Sequence, residues 1–320
     1  MAPSFQKINY ALRPAKHTER RMLCDVFRQA SNFDRLSNYT YVGFGGIEFS
    51  DFIMFHRSLG IKNMISMERA DHALPRVESN KPFNTITIVG EPSSKALPKF
   101  AWDRPHIIWL DYDDPLKLEM LLDVSTITSK AKSGSILTFS FQCFEAREIT
   151  LAKPKSQDAV SHFISTFGRD RVSLETDELD LRGTKFGDLG RKMMLNEIQS
   201  QLAIRNLGSD QHETLEYREI CSIRYSDNAP MFTVCGIFVS KEDENKFVKC
   251  EFESLNFLPA KGNHIEIEVP KLTLREIKAL EKQLPLHNGK TIDCGAIPKK
   301  DASQFERLYR YLPNFAVLEN

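Results

Sequence analysis

Three carboxylates in the first half of the chain each follow on a short apolar run. Glu68 ends Asn63-Met64-Ile65-Ser66-Met67, Glu91 follows Thr85-Ile86-Thr87-Ile88-Val89-Gly90, and Asp111 ends His106-Ile107-Ile108-Trp109-Leu110. An earlier run, Tyr39-Thr40-Tyr41-Val42, enters the glycine cluster Gly43-Phe44-Gly45-Gly46. Glycines let a backbone approach a ligand and turn sharply into a helix, and a carboxylate roughly twenty residues further on can accept hydrogen bonds from a ribose. Acids at the carboxyl ends of successive parallel strands open onto one crevice. The pattern therefore reads as a site for a nucleotide-like ligand. Tyr112, Asp113 and Asp114 stand beside Asp111 and are groups that could take up a proton or clamp a reacting atom. Glu48 occupies the place of the third glycine of a dinucleotide fingerprint, where a carboxylate would repel a pyrophosphate, so a nicotinamide cofactor is disfavoured.

Positioning these groups requires alternating strands and helices. Strands are expected at 40–44, 63–67, 85–89, 106–110 and 135–141, with helices at 17–30, 47–59, 71–77 and 116–129. Each strand is nearly all apolar, as in a parallel sheet covered on both faces. Asp113 or Asp114 is placed to cap the helix from about 116. His56 and His106 read as core or edge residues. Residues 145–212 break the rhythm with a helical insert, its helices near 157–167 and 187–207. A hairpin follows through Ser226-Asp227-Asn228-Ala229-Pro230, which sets Cys221 and Cys235 roughly opposite one another. Beyond it lie a half-buried strand at 265–269, a helix opened by the capping box of Thr273 and Glu276, and a last amphipathic helix at 305–312. The reading is an α/β chain with a Rossmann-like, doubly wound parallel sheet ending in an antiparallel hairpin: a main domain at 1–250 with its insert at 145–212, and a small α+β appendage at 251–320. On the first helix, Glu19, Arg20, Arg21, Asp25 and Arg28 read as a solvated face. Arg13 and Lys16 flank Pro14 and are candidates for the mouth of the cofactor or substrate site.

Composition narrows the partners. Lys plus Arg equals Asp plus Glu at 43 each in 320 residues, so a small molecule or a protein is favoured over nucleic acid as substrate. No apolar stretch approaches a membrane span and the N-terminus lacks the apolar core of a signal peptide, which points to the cytoplasm. The six cysteines form no C-x-x-C pair and read as reduced core thiols.

Five strand–helix units, a closing hairpin and a preceding helix resemble the class I S-adenosylmethionine-dependent methyltransferases over about residues 17–240. The resemblance implies that Gly43, Gly45 and Gly46 form the cofactor loop and that Glu68 holds the ribose hydroxyls. It also implies that Glu91 reaches the adenine amino group and that Asp111 lies beside the methionine moiety and the acceptor. Asp111, Tyr112 and Asp113 become the catalytic candidates, S-adenosylmethionine the cofactor, and an unidentified acceptor the partner. The wording INYALRPAKHTERRM, YVGFGGIEFSDF and WLDYDDPL is similar to bacterial proteins that carry only a provisional O-methyltransferase label. Two departures stand out. The acid that usually binds the methionine amino group at the start of the glycine loop is replaced by Tyr41 or Val42, with Glu48 or Asp111 as substitutes. The cluster after Asp111 has Pro115 without the aromatic residue of the base-methylating tetrapeptide. No partner acid completes a magnesium site, so no metal is expected. The missing acid motivates the alternative: a catalytically silent member of the fold that binds the cofactor or another adenine nucleotide as a sensor or scaffold, within a bacterial defence or modification system.

Overall fold

The computed structural model describes residues 13–69, 73–152, 158–208, 210, 212–259, 264–287 and 290–314. Eight strands form one sheet: β1 (Thr40–Gly43), β2 (Asn63–Met67), β3 (Ile86–Val89), β4 (His106–Pro115), β5 (Ile136–Gln142), β6 (Leu215–Ser226), β7 (Pro230–Ser240) and β8 (His264–Ile267). Their order is β3-β2-β1-β4-β5-β7-β6-β8. The first five are parallel, β7 runs antiparallel between β5 and β6, and β8 lies parallel to β6 at the edge. This is the doubly wound sheet with a closing hairpin that the pattern of apolar runs implies. The order reverses direction at β1 and β4, the point where such sheets bind ligands at their carboxyl ends.

The helices are α1 (Pro14–Gln29), α2 (Ser50–Leu59), α3 (Leu74–Ser79), α4 (Ser93–Ala96), α5 (Leu118–Lys130), α6 (Arg147–Ala152), α7 (Ala159–Phe167), α8 (Gly183–Arg205), α9 (Glu244–Lys249), α10 (Leu274–Glu281) and α11 (Lys299–Leu308). Alternation along the strands splits the core between the two faces. Tyr41, Ile107, Trp109 and Ile136 pack with Met22 and Phe27 of α1, Phe52 and Phe55 of α2, and Phe305 and Leu308 of α11. Val42, Ile108, Leu110, Leu137 and Phe139 face the other way, onto Met120 and Leu121 of α5 and Met193 and Ile198 of α8. In the C-terminal segment β8 joins the main sheet, and the capping box of Thr273 and Glu276 opens α10. Cys221 and Cys235 are direct register partners, both buried.

The last helix spans Lys299–Leu308 and not 305–312, and three further expectations change. The helix after the glycine loop starts at Ser50, not near 47, because Phe49 adopts the left-handed conformation (φ 49°) and its ring closes against Gly45. Neither Asp113 nor Asp114 caps a helix: β4 runs on to Pro115, α5 begins at Leu118, and Asp114 pairs with Lys117. Against β5, Asp111 lies opposite Ser140 and Pro115 opposite Gln142, so β4 carries extra residues there. Such bulges re-aim side chains beside sites. Third, Glu19 and Arg20 are not solvated, with 0% and 8% of their surface exposed. The expected helix start at Asp71, and residues 8–12 ahead of α1, lie outside the described residues.

Candidate active site

The glycine loop and the end of β2 are joined by hydrogen bonds. The Gly46 N–H donates to Glu68 Oε1 at 2.8 Å, the Gly45 N–H to Ser66 Oγ at 3.0 Å, and the Ser66 hydroxyl to Glu68 Oε1 at 3.1 Å. A Cβ on Gly45 would stand 2.6 Å from the Phe49 ring and 2.7 Å from Ser66 Oγ, so only glycine fits between them. Burial pushes the Glu68 carboxyl above the usual carboxylate range, against the pull of the Gly46 N–H and Ser66. No protein group bonds Glu68 Oε2 among the described residues, so the carboxylate keeps accepting capacity toward a ligand.

Glu68 opens onto a cavity of about 650 Å³ at the carboxyl ends of β2, β3 and β4. Glu91, Asp111, Tyr112 and Asp113 line it together with Phe44 and Met67. The three strand-end acids, some twenty residues apart along the chain, therefore meet around one volume. Glu91 is partly exposed and held by Lys99 Nζ at 2.7 Å. The Tyr112 hydroxyl donates to Asp123 Oδ2 of α5 at 2.8 Å, where the Ser93 hydroxyl also donates, and its ring rests against Phe44. Burial and the Asp123 carboxylate push the Tyr112 phenol well above its ordinary value. Tyr112 is thus bound into the wall, while Asp113 lies exposed at the mouth. From the insert, Arg147 and Glu148 of α6 and Thr166 and Phe167 of α7 complete the wall. Among the described residues no group of three or more His, Cys, Asp or Glu side chains is arranged to hold a metal. None of the helices described is long and apolar enough to cross a membrane.

Asp111 connects this cavity to a buried charge network. Lys16 Nζ of α1 lies 2.6 Å from Asp111 Oδ1 and 2.7 Å from Glu19 Oε2, and 4.3 Å from the centre of the Trp109 ring. The network continues through the sheet: the Thr233 hydroxyl donates to Glu19, Thr233 and Ser140 hydroxyls meet at 2.7 Å, and Trp109 Nε1 donates to Ser140 at 2.9 Å. Lys16 is 1% exposed and Glu19 0%, whereas the Asp111 side chain keeps 23%. Burial raises the Glu19 carboxyl; Lys16 opposes the rise and Asp111 adds to it. The hairpin turn fixes Lys16 in place. Asp227 accepts the N–H groups of Ala15 and Lys16 at 3.0 Å each, satisfying free donors at the start of α1, and the Tyr225 ring lies under the Lys16 ammonium. Arg13 faces the same Asp227 at 3.9 Å. Ser140 takes part in the network from within the sheet; neither it nor Gln142 lines the cavity.

A second acid lies under the glycine loop. Tyr41, at the position where an acid was expected, donates its hydroxyl to Asp51 in the first turn of α2. A Cβ on Gly43 would stand 2.8 Å from that hydroxyl, so the pair sits directly beneath the loop backbone. Burial raises the Asp51 carboxyl, Arg20 lowers it, and Asp111 raises it again. Sequence reasoning passed over Asp51 because an acid in a helix's first turn is ordinary dipole chemistry. His56 and His106 are structural: each Nδ1 meets a backbone carbonyl at 2.8 Å, that of Ile61 or Arg104.

Similar solved structures include the O-methyltransferase from Bacillus cereus in complex with SAH, at 11% identity. The match covers 73% of this chain and 84% of that one, with a TM-score of 0.39. Another is an O-methyltransferase family protein from Burkholderia thailandensis, at 12% identity, covering 69% of this chain and 56% of that one, with a TM-score of 0.35. No curated protein matches the chain significantly. The family model described as "Putative O-methyltransferase" matches residues 8–320, and the chain belongs to that family.

Proposed function

We propose that the protein is an S-adenosylmethionine-dependent methyltransferase whose acceptor is a hydroxyl group on a small molecule or protein. The observation that carries this is the convergence of Glu68, Glu91 and Asp111 on one cavity beside the glycine loop. When bound there, S-adenosylmethionine supplies an electrophilic methyl group. Glu68 would hold the ribose hydroxyls through its unused oxygen and Glu91 the adenine edge, with Gly43, Gly45 and Gly46 letting the backbone close on the ligand. The cavity, about 650 Å³, is within the range of ordinary cofactor sites.

Methyl displacement at sulfur needs alignment and exclusion of water more than it needs acid or base. A hydroxyl acceptor must also lose its proton, and the Asp111 carboxylate would receive it. Its Oδ1 is committed to Lys16, and among the described residues no protein group bonds Oδ2. Lys16 and Glu19 hold the carboxylate in orientation. Tyr112, tied to Asp123, would shape the wall, and Asp113 at the mouth is a candidate for contact with the acceptor.

A catalytically silent cofactor-binding protein is the second reading, supported by Asp111 and Tyr112 both being engaged in the protein's own bonds. Incubation with methyl-labelled S-adenosylmethionine and a panel of phenols, carboxylic acids and proteins separates the two. Transfer that Asp111→Asn abolishes while cofactor binding persists supports the enzyme. Binding without transfer to any member of the panel favours the silent protein.

A further inference from the structure

Glu148 is a buried carboxylate for which the fold supplies no partner. It stands in the first turn of α6, in the insert, with 4% of its surface exposed, and its Oε2 has no hydrogen-bond partner. Arg147, next in sequence, is exposed, and successive helical residues do not face each other. A carboxylate buried without a donor is costly, so it calls for a group from outside the chain to complete it. Glu148 lines the same cavity as Glu68, Glu91 and Asp111. Glu91 and Glu68 follow β3 and β2, Asp111 lies on β4, and the chain reaches α6 from β5, on the far side of β4 from those strands. Glu148 therefore enters the cavity from the side away from the acids assigned to adenosine.

The rest of the lining says what Glu148 faces. Eight acidic side chains line the cavity against three basic ones, and Lys16 and Lys99, which pair with Asp111 and Glu91 from outside it, bring the cations to five. S-adenosylmethionine adds one net positive charge, so acids remain in excess, and a cavity of one sign concentrates ligands of the other. Phe44, Leu116, Met120 and Phe167 supply apolar walls that suit an aromatic ring. We infer that the acceptor is a phenol that also carries an ammonium group, and that Glu148 anchors the ammonium while the hydroxyl meets the methyl group beside Asp111. This rests on the methyltransferase reading above and names the substrate class of the same cavity. In the transfer the S–CH3 bond breaks as the O–CH3 bond forms, the phenol proton passes to Asp111, and the sulfonium leaves as a thioether. Glu148 takes no part in that exchange. An ammonium held by a carboxylate has no free electron pair, which directs the methyl group to oxygen.

The test is calorimetry on the protein saturated with S-adenosylhomocysteine, using three probes of closely matched shape. Tyramine is cationic, 4-ethylphenol neutral and 3-(4-hydroxyphenyl)propanoate anionic. A charge-assisted hydrogen bond is worth roughly 10- to 100-fold in affinity. Tyramine should therefore bind tighter than 4-ethylphenol by that factor, and the propanoate should bind weakest. In Glu148→Gln tyramine should fall to the level of 4-ethylphenol, with the affinity for S-adenosylhomocysteine unchanged. The urea midpoint of ligand-free Glu148→Gln should equal or exceed that of the wild type, because an unpaired buried charge has been removed; a carboxylate that served only the fold would lower it. Tyramine binding no better than 4-ethylphenol, a preference that survives Glu148→Gln, binding of none of the three, or a lowered midpoint overturns the inference. The cofactor reading stands in each of those cases as long as S-adenosylhomocysteine binds. If it does not bind, both fall.

Discussion

Replacing Lys16 by Met removes the cation shared by the buried Glu19 and the half-buried Asp111 while filling most of the same volume. In the wild type the ammonium sits 2.6 Å from Asp111 and 2.7 Å from Glu19. Asp111 has 23% of its side chain exposed and can be rehydrated, but Glu19 has none and cannot. Breaking a buried pair by removing one partner costs about 3–5 kcal/mol, and that is the expected loss at pH 8. The loss depends on pH because Glu19 has an escape. Its folded carboxyl is already raised by burial and held down by Lys16, so without Lys16 it rises further. A raised acid stabilises the fold at low pH and loses that contribution as pH climbs from the unfolded value through the folded one. In Lys16→Met this decline continues to higher pH than in the wild type, by up to about 1.4 kcal/mol per pH unit. The deficit should therefore shrink to about 1–2 kcal/mol at pH 5. Urea unfolding at the two pH values, with unchanged m, measures it. A deficit below about 1 kcal/mol at both values, or one that grows toward acid, refutes the buried network.

Other outcomes follow from the same contacts. Gly45→Ala puts a methyl 2.6 Å from the Phe49 ring and 2.7 Å from Ser66 Oγ; we expect cofactor affinity to fall at least tenfold, because the loop must shift away from Glu68, as calorimetry would detect. Tyr112→Phe breaks the bond to Asp123 and leaves a largely buried carboxylate with one hydroxyl donor, which should cost about 1–3 kcal/mol in urea unfolding. Its methyl transfer should persist, whereas Asp111→Asn should lose it. Among the six thiols, Cys294 alone is not buried, and burial pushes Cys143 and Cys250 up to about 11. A thiol reagent at pH 8 should therefore titrate close to one group in the native protein and six in denaturant.

The parallel sheet was legible because strands buried on both faces must be continuous apolar runs, and the acids that end three of them can only point out of the sheet. The convergence of Glu68, Glu91 and Asp111 follows from that rule and needs no side-chain detail. What escaped was charge made structural by distant partners. Glu19 and Arg20 look like the outer face of α1 because helical charges usually face water; Glu19 is instead held by Lys16 and by Thr233, the latter from a strand the local sequence cannot see. Tyr225 and Asp227 resemble plain turn residues for the same reason, although they anchor Lys16. The end of β4 was misjudged because Asp-Asp-Pro normally opens a helix, whereas here Pro115 pairs with Gln142 of β5 beyond an irregular stretch of the strand.

The central claim is that the cavity binds S-adenosylmethionine through Glu68, and calorimetric titration of the wild type and Glu68→Ala with that ligand, and with NAD in parallel, tests it most directly. Micromolar binding that Glu68→Ala abolishes, with none to NAD, is the predicted result. Absence of binding to the wild type, or binding that Glu68→Ala leaves intact, would contradict it.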